Sequence, residues 1–129
     1  MEAINRISVY MDHFKANVIL YTNEARLVKT ILSEFNQYQK DNIIQKGESH
    51  FHNKEQELQT KFYKEISDNI TDYKNVMLFG TTNAKTEFSH ILAHDNRFND
   101  VEISIKNTDK LSPNKQIAFV NNCFYFDKV

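Results

Sequence analysis

Two glycines and one proline in 129 residues leave this chain few means of turning tightly. Its elements therefore have to be long, or its loops built from Asn, Asp and Ser. A single cysteine, Cys123, excludes an internal disulfide, and with no paired cysteines there is no signature of a zinc site. That thiol lies in an apolar stretch and reads as core packing. Such usage fits a reducing compartment, so the expected location is the cytoplasm. No run approaches the roughly 18 apolar residues of a membrane span, and the amino-terminal MEAINRISVYMDHF lacks a basic region followed by an apolar core. A charge surplus is missing too. Sixteen basic against 17 acidic side chains give a formal net charge of −1, which argues against a general polyanion-binding surface and leaves room for a local basic one.

What is present is best read from Tyr73 to Phe88, YKNVMLFGTTNAKTEF. Val76, Met77, Leu78 and Phe79 have no polar alternation, so this strand should be covered on both faces, as inside a parallel or mixed sheet. Gly80 lets the backbone turn, Thr82 or Asn83 is placed to cap a helix, and Ala84, Phe88, Ile91 and Leu92 form its apolar stripe.

Three strand candidates precede this unit: Ile7, Val9 and Met11 in alternation, Val18 to Tyr21, and Ala25 to Leu32 alternating through Leu27, Lys29 and Ile31. The links Asp12 to Lys15 and Thr22 to Glu24 are too short for crossovers, so the strands should form an antiparallel meander. Glu34 to Asn53 is polar and without period and is expected to be a mobile loop. From about Asn53 to Ile70 a helix is expected, with Leu58, Phe62, Ile66 and Ile70 as a narrow apolar stripe and Glu57, Lys61 and Glu65 spaced to pair along the exposed side. Val101, Ile103 and Ile105 alternate as an edge strand. Ser112 and Pro113 open a last helix whose apolar face runs through Ile117, Ala118, Val120 and Phe124. The order βββαβαβα, with the first strand beside the fourth, predicts a single α/β domain over residues 1–129 with three helices. Its five-stranded mixed sheet has the order 3-2-1-4-5, the ribonuclease-H-like arrangement.

Each chemical motif meets a specific obstacle. Gly80-Thr81-Thr82-Asn83-Ala84-Lys85-Thr86 places a glycine turn and a lysine at a helix start. A nucleotide-hydrolysing phosphate loop needs glycine where Ala84 stands, and this loop is one residue short. Anion or RNA-phosphate binding there and plain capping both stay open. His50 and His52 flank Phe51, and His90 and His94 lie one helical turn apart, but neither pair has an evident third metal ligand. Asp12 fits the first-strand carboxylate of a two-metal nuclease. The fourth strand ends Phe79-Gly80-Thr81 with no acid, which leaves such a site short of charge. No catalytic residue, metal or cofactor is therefore assigned.

Three segments resemble bacterial relatives of the archaeo-eukaryotic peptide-chain release factor, labelled translational machinery proteins. These are Arg6 to Leu32, with a strand ending Met-Asp-His followed by Lys-Ala-Asn-Val-Ile-Leu; VMLFGTTNAKTEF within Tyr73 to Phe88; and LSPNKQIAFVNNCF within Lys110 to Phe124. The resemblance implies the ribonuclease-H-like fold of the release factor's middle domain, which in full release factors carries a Gly-Gly-Gln loop that promotes peptidyl-tRNA hydrolysis. The corresponding segment by chain order, Gln45 to Lys54, has one glycine and no Gly-Gly-Gln. What the resemblance implies here is a non-enzymatic, translation-associated module that contacts ribosome or tRNA and no membrane. Lys46, His50, Phe51, His52 and Lys54 would meet RNA, and Thr82, Asn83 and Lys85 would form a second anion-binding point. The alternatives are a degenerate peptidyl-tRNA hydrolase working through His50 to Asn53, a metal-dependent nuclease using Asp12, and a protein–protein adaptor. The oligomeric state is open.

Overall fold

The computed structural model describes residues 6–34 and 48–127. Three strands come first: β1 (Arg6–Met11), β2 (Lys15–Tyr21) and β3 (Ala25–Leu32). Their short links allow only hairpins, and β1 with β2, then β2 with β3, pair antiparallel. Then follow α1 (Glu48–Asp68), β4 (Asn75–Gly80), α2 (Ala84–Ala93), a 3-10 turn at Asn96–Phe98, β5 (Glu102–Asn107) and α3 (Pro113–Asp127). The sheet order is β3-β2-β1-β4-β5, with β4 parallel to both β1 and β5. Only β2 runs against the other strands, as the hairpin-and-crossover reading expects.

The unbroken apolar run of β4 is explained by its position. Val76, Met77, Leu78 and Phe79 are at most 2% exposed because both faces of the strand are covered. Val76 and Leu78 pack with Ile7 and Val9 of β1, with Phe62 and Ile66 of α1, and with Phe88 and Leu92 of α2. Met77 and Phe79 pack instead with Ile19 and Tyr21 of β2 and with Val120 and Phe124 of α3. Helices α1 and α2 thus cover one face and α3 the other. Each fully buried side chain of this size contributes about 1.5–3 kcal/mol of transfer free energy. Cys123 is half-buried against the α3-side cluster and forms no disulfide.

Several expectations change on contact with tertiary structure. Helix α1 starts at Glu48, not near Asn53: Gly47 is the last breaker, and nothing in Glu48 to Asn53 opposes a helix. The expected loop beyond Glu34 otherwise lies outside the described residues. Helix α1 ends at Asp68, yet Ile70 is still fully buried in the turn that follows. Lys61 bonds Glu34 at 2.9 Å across the fold, while Lys54–Glu57 and Lys64–Asp68 pair along α1. In β3 the alternation is interrupted, since Val18 pairs with Lys29 and Ile19 with Leu27, leaving Val28 as an extra residue. The bulge puts Ile31 in the core beneath α1 and Ala25 in the core beneath α3, with Leu27 and Val28 exposed. Ile91 of α2 and Ala118 of α3 face outward; Lys85 and Gln116 are buried in the stripes instead.

Candidate functional site

The carboxyl ends of β1 and β4 lie side by side, with Tyr10 paired to Phe79. Just beyond that pair the chains come so close that only glycine fits. Gly80 has φ +149°, and a Cβ there would stand 2.5 Å from the Met11 carbonyl oxygen. Its own carbonyl accepts a hydrogen bond from the Thr108 N–H at 3.0 Å, tying the end of β5 to the same corner. Glycine is thus required here for close approach as well as for turning.

The helix that follows uses its start for itself. Asn83 is the N-cap residue but makes no side-chain cap bond; Thr82 Oγ1 accepts from the Ala84 N–H at 3.2 Å. Lys85 is only 2% exposed, and its ammonium donates to the Thr82 carbonyl. The three residues expected to form an anion point are therefore together in space, with the lysine turned inward. Lys54 lies in α1 and pairs with Glu57 at 3.2 Å. His50, Phe51 and His52 fall in the first turns of α1, not in a loop before it, and their side chains lie outside the described residues, as does Lys46.

Asp12 has a structural task. Its Oδ1 accepts from the N–H groups of Phe14 and Lys15 at 2.7 and 2.9 Å, which folds the β1–β2 hairpin. Among the described residues no group of three or more His, Cys, Asp or Glu side chains could hold a metal ion. His90 and His94 are exposed, and the His94 ring bonds the His90 carbonyl at 2.9 Å.

Sequence reasoning missed a polar chain beside the hairpin. The Tyr63 hydroxyl of α1 donates to Glu87 of α2 at 2.8 Å, and His13 bonds the other oxygen of that carboxylate at 3.3 Å. Burial pushes the Tyr63 hydroxyl well above its ordinary range, and the hydrogen bond to Glu87 adds to it. Desolvation alone would raise Glu87, but the bonds from Tyr63 and His13 outweigh it and hold the carboxyl below the usual range. Residues this far apart in the chain carry no spacing signal.

A cleft of about 770 Å³ opens between the strand ends and the start of α3. Tyr10, Met11 and Asp12 form one wall, Lys15 and Asn17 of β2 a second, and the segment Lys110 to Gln116 a third. The floor is fixed by buried polar contacts: Asn17 Nδ2 donates to Gln116 Oε1 at 2.9 Å, Gln116 Nε2 to the Leu111 carbonyl at 3.0 Å, and the Leu111 N–H to the Tyr10 hydroxyl at 2.8 Å. Gln116 stands four residues before Val120, and only that spacing could have pointed to it in the sequence.

Neither a protein-family model nor a curated protein sequence matches the chain. Solved structures do. Pelota of Thermoplasma acidophilum is similar with a TM-score of 0.62 at 12% identity, over 92% of this chain and 31% of that one. Pelota of Archaeoglobus fulgidus is similar with a TM-score of 0.60 at 10% identity, over 94% of this chain and 32% of that one. The chain therefore has a fold in common with the two Pelota proteins and spans about a third of their length.

Proposed function

We propose that this chain is a release-factor-like binding domain of the translation apparatus that meets ribosome or tRNA in the cytoplasm and performs no reaction of its own. One observation carries the reading: the β3-β2-β1-β4-β5 sheet with its three helices matches Pelota, a release-factor-like translation protein, over nearly the whole chain. The stretch from Lys46 to Lys54 supports it from the sequence side. Lys46, His50, Phe51, His52 and Lys54 combine cations for phosphates with rings that stack on unpaired bases. Thr82 and Asn83 present a second polar corner, with Lys85 joining it only if its ammonium leaves the Thr82 carbonyl.

Co-sedimentation of the purified chain with purified ribosomes, and gel retardation with tRNA, test the reading. The parent should pellet with ribosomes or shift tRNA, and changing Lys46, His50, His52 and Lys54 together to alanine should weaken that association at least about tenfold. A parent that does neither at low salt overturns the proposal.

A further inference from the structure

The cleft at the strand ends has an electrostatic character that the chain as a whole lacks. Lys15 lines it from β2 and Lys110 and Lys115 from the segment that opens α3, and none of them has an ion-pair partner among the described residues. The one carboxylate on the lining, Asp12, spends Oδ1 on two backbone N–H groups. In a chain of net charge −1, this is a local surplus of positive charge in a concave place, where low-dielectric walls strengthen the field. The volume is in the range that holds a nucleotide-sized ligand. Beside the cations the lining offers the apolar surfaces of Leu111 and Pro113 and the hydroxyls of Thr81 and Ser112. Lysine ammonium groups suit phosphate, the apolar surfaces suit the flat face of a base, and the hydroxyls suit a ribose.

We propose that this cleft binds the phosphate and base of a ribonucleotide, either free or within a single strand of RNA. The inference deepens the translation reading by naming a contact surface separate from the start of α1. It predicts that the protein takes up short RNA through β2, Thr81 and the Lys110 to Gln116 segment, without the inward-turned Lys85.

The test uses fluorescently labelled oligouridylate and, separately, a labelled ribonucleoside triphosphate, with amide chemical-shift mapping on the parent protein. Binding of either probe, with shifts centred on Lys15, Thr81 and Lys110 to Gln116, supports the proposal; preference for one probe tells free nucleotide from RNA strand. Changing Lys15, Lys110 and Lys115 together to alanine should weaken oligonucleotide binding at least about tenfold and lower its salt slope by about 2. If that variant loses its fold, the parent's shift map decides alone. No binding of either probe, or shifts confined to other surfaces, overturns the inference. The two readings fail separately. A parent that pellets with ribosomes while its cleft takes up neither probe sinks the cleft and leaves the translation role, whereas cleft binding of RNA by a parent that ignores ribosomes and tRNA does the reverse.

Discussion

Two helix starts in this molecule look alike on paper and behave differently in space. Thr82-Asn83-Ala84-Lys85 opens α2 and Ser112-Pro113-Asn114-Lys115 opens α3, each with a hydroxyl residue and a lysine three places later. Lys85 is 2% exposed and bonded to its own turn; Lys115 is exposed on the wall of a cleft. The cause is phase. Lys85 is three and seven residues before Phe88 and Leu92, so it shares the buried stripe of α2. Lys115 stands one, five and nine residues before the buried Gln116, Val120 and Phe124, which rotates it off the stripe of α3. A lysine near a helix start is thus open to solvent only when the stripe leaves it outside.

Charge reversal is the strongest way to break this contrast. Lys85→Glu should cost about 3–5 kcal/mol in urea unfolding, because it leaves a buried carboxylate facing a carbonyl. Lys115→Glu should stay within about 0.5 kcal/mol of the parent. Equal losses at the two positions would show that the phase argument is wrong.

Gly80→Ala should come next, at about 3 kcal/mol. It forces a side chain into positive φ and against the Met11 carbonyl, a backbone atom that cannot swing away. Thermal unfolding of the variant checks this, and a melting temperature equal to the parent's would mean that the β1–β4 corner relaxes freely.

The smallest expected effect concerns acid. Hydrogen bonds from Lys64 and then Arg97 hold Asp68 below the ordinary carboxylate range, the bond from Arg97 does the same for Asp95, and Glu87 is likewise lowered. A carboxylate with a depressed folded pKa binds fewer protons folded than unfolded. Its contribution is therefore present above about pH 4–5 and is lost as pH falls through the folded value. Asp68 and Glu87 are exposed and Asp95 is only half-buried, so each effect is modest. Glu87→Gln should flatten the fall in stability between neutral pH and pH about 3, measured by urea unfolding across that range. An unchanged pH profile would remove the Tyr63–Glu87–His13 chain from the account of what joins α1, α2 and the hairpin.

Much of the architecture was readable because periodicity and loop length are local. Four consecutive apolar residues at Val76 to Phe79 announced a strand covered on both faces, and the short links after Met11 and Tyr21 left antiparallel pairing as the only outcome. Errors fell where a neighbour distant in sequence decides. Val28 reads as part of a regular alternation until β2 is placed beside it and the register slips by one. Ile91 fits the apolar stripe of α2 by spacing, yet the sheet reaches only Ala84, Lys85, Phe88 and Leu92.

The amino-acid sequence by itself determined the element order, the interior place of β4 and a glycine turn at the corner that follows it. These follow from side-chain period, connection length and backbone freedom, all properties of adjacent residues. Only tertiary structure decided where the charged and polar groups point. Lys15 is far in sequence from Lys110 and Lys115, and they line one cleft because β2 runs antiparallel to β1 and α3 folds back over the strand ends. Asn17 finds Gln116, and Tyr63 finds Glu87, by the same long-range closure. A cleft is a relation between surfaces, and no residue carries it in its own neighbourhood.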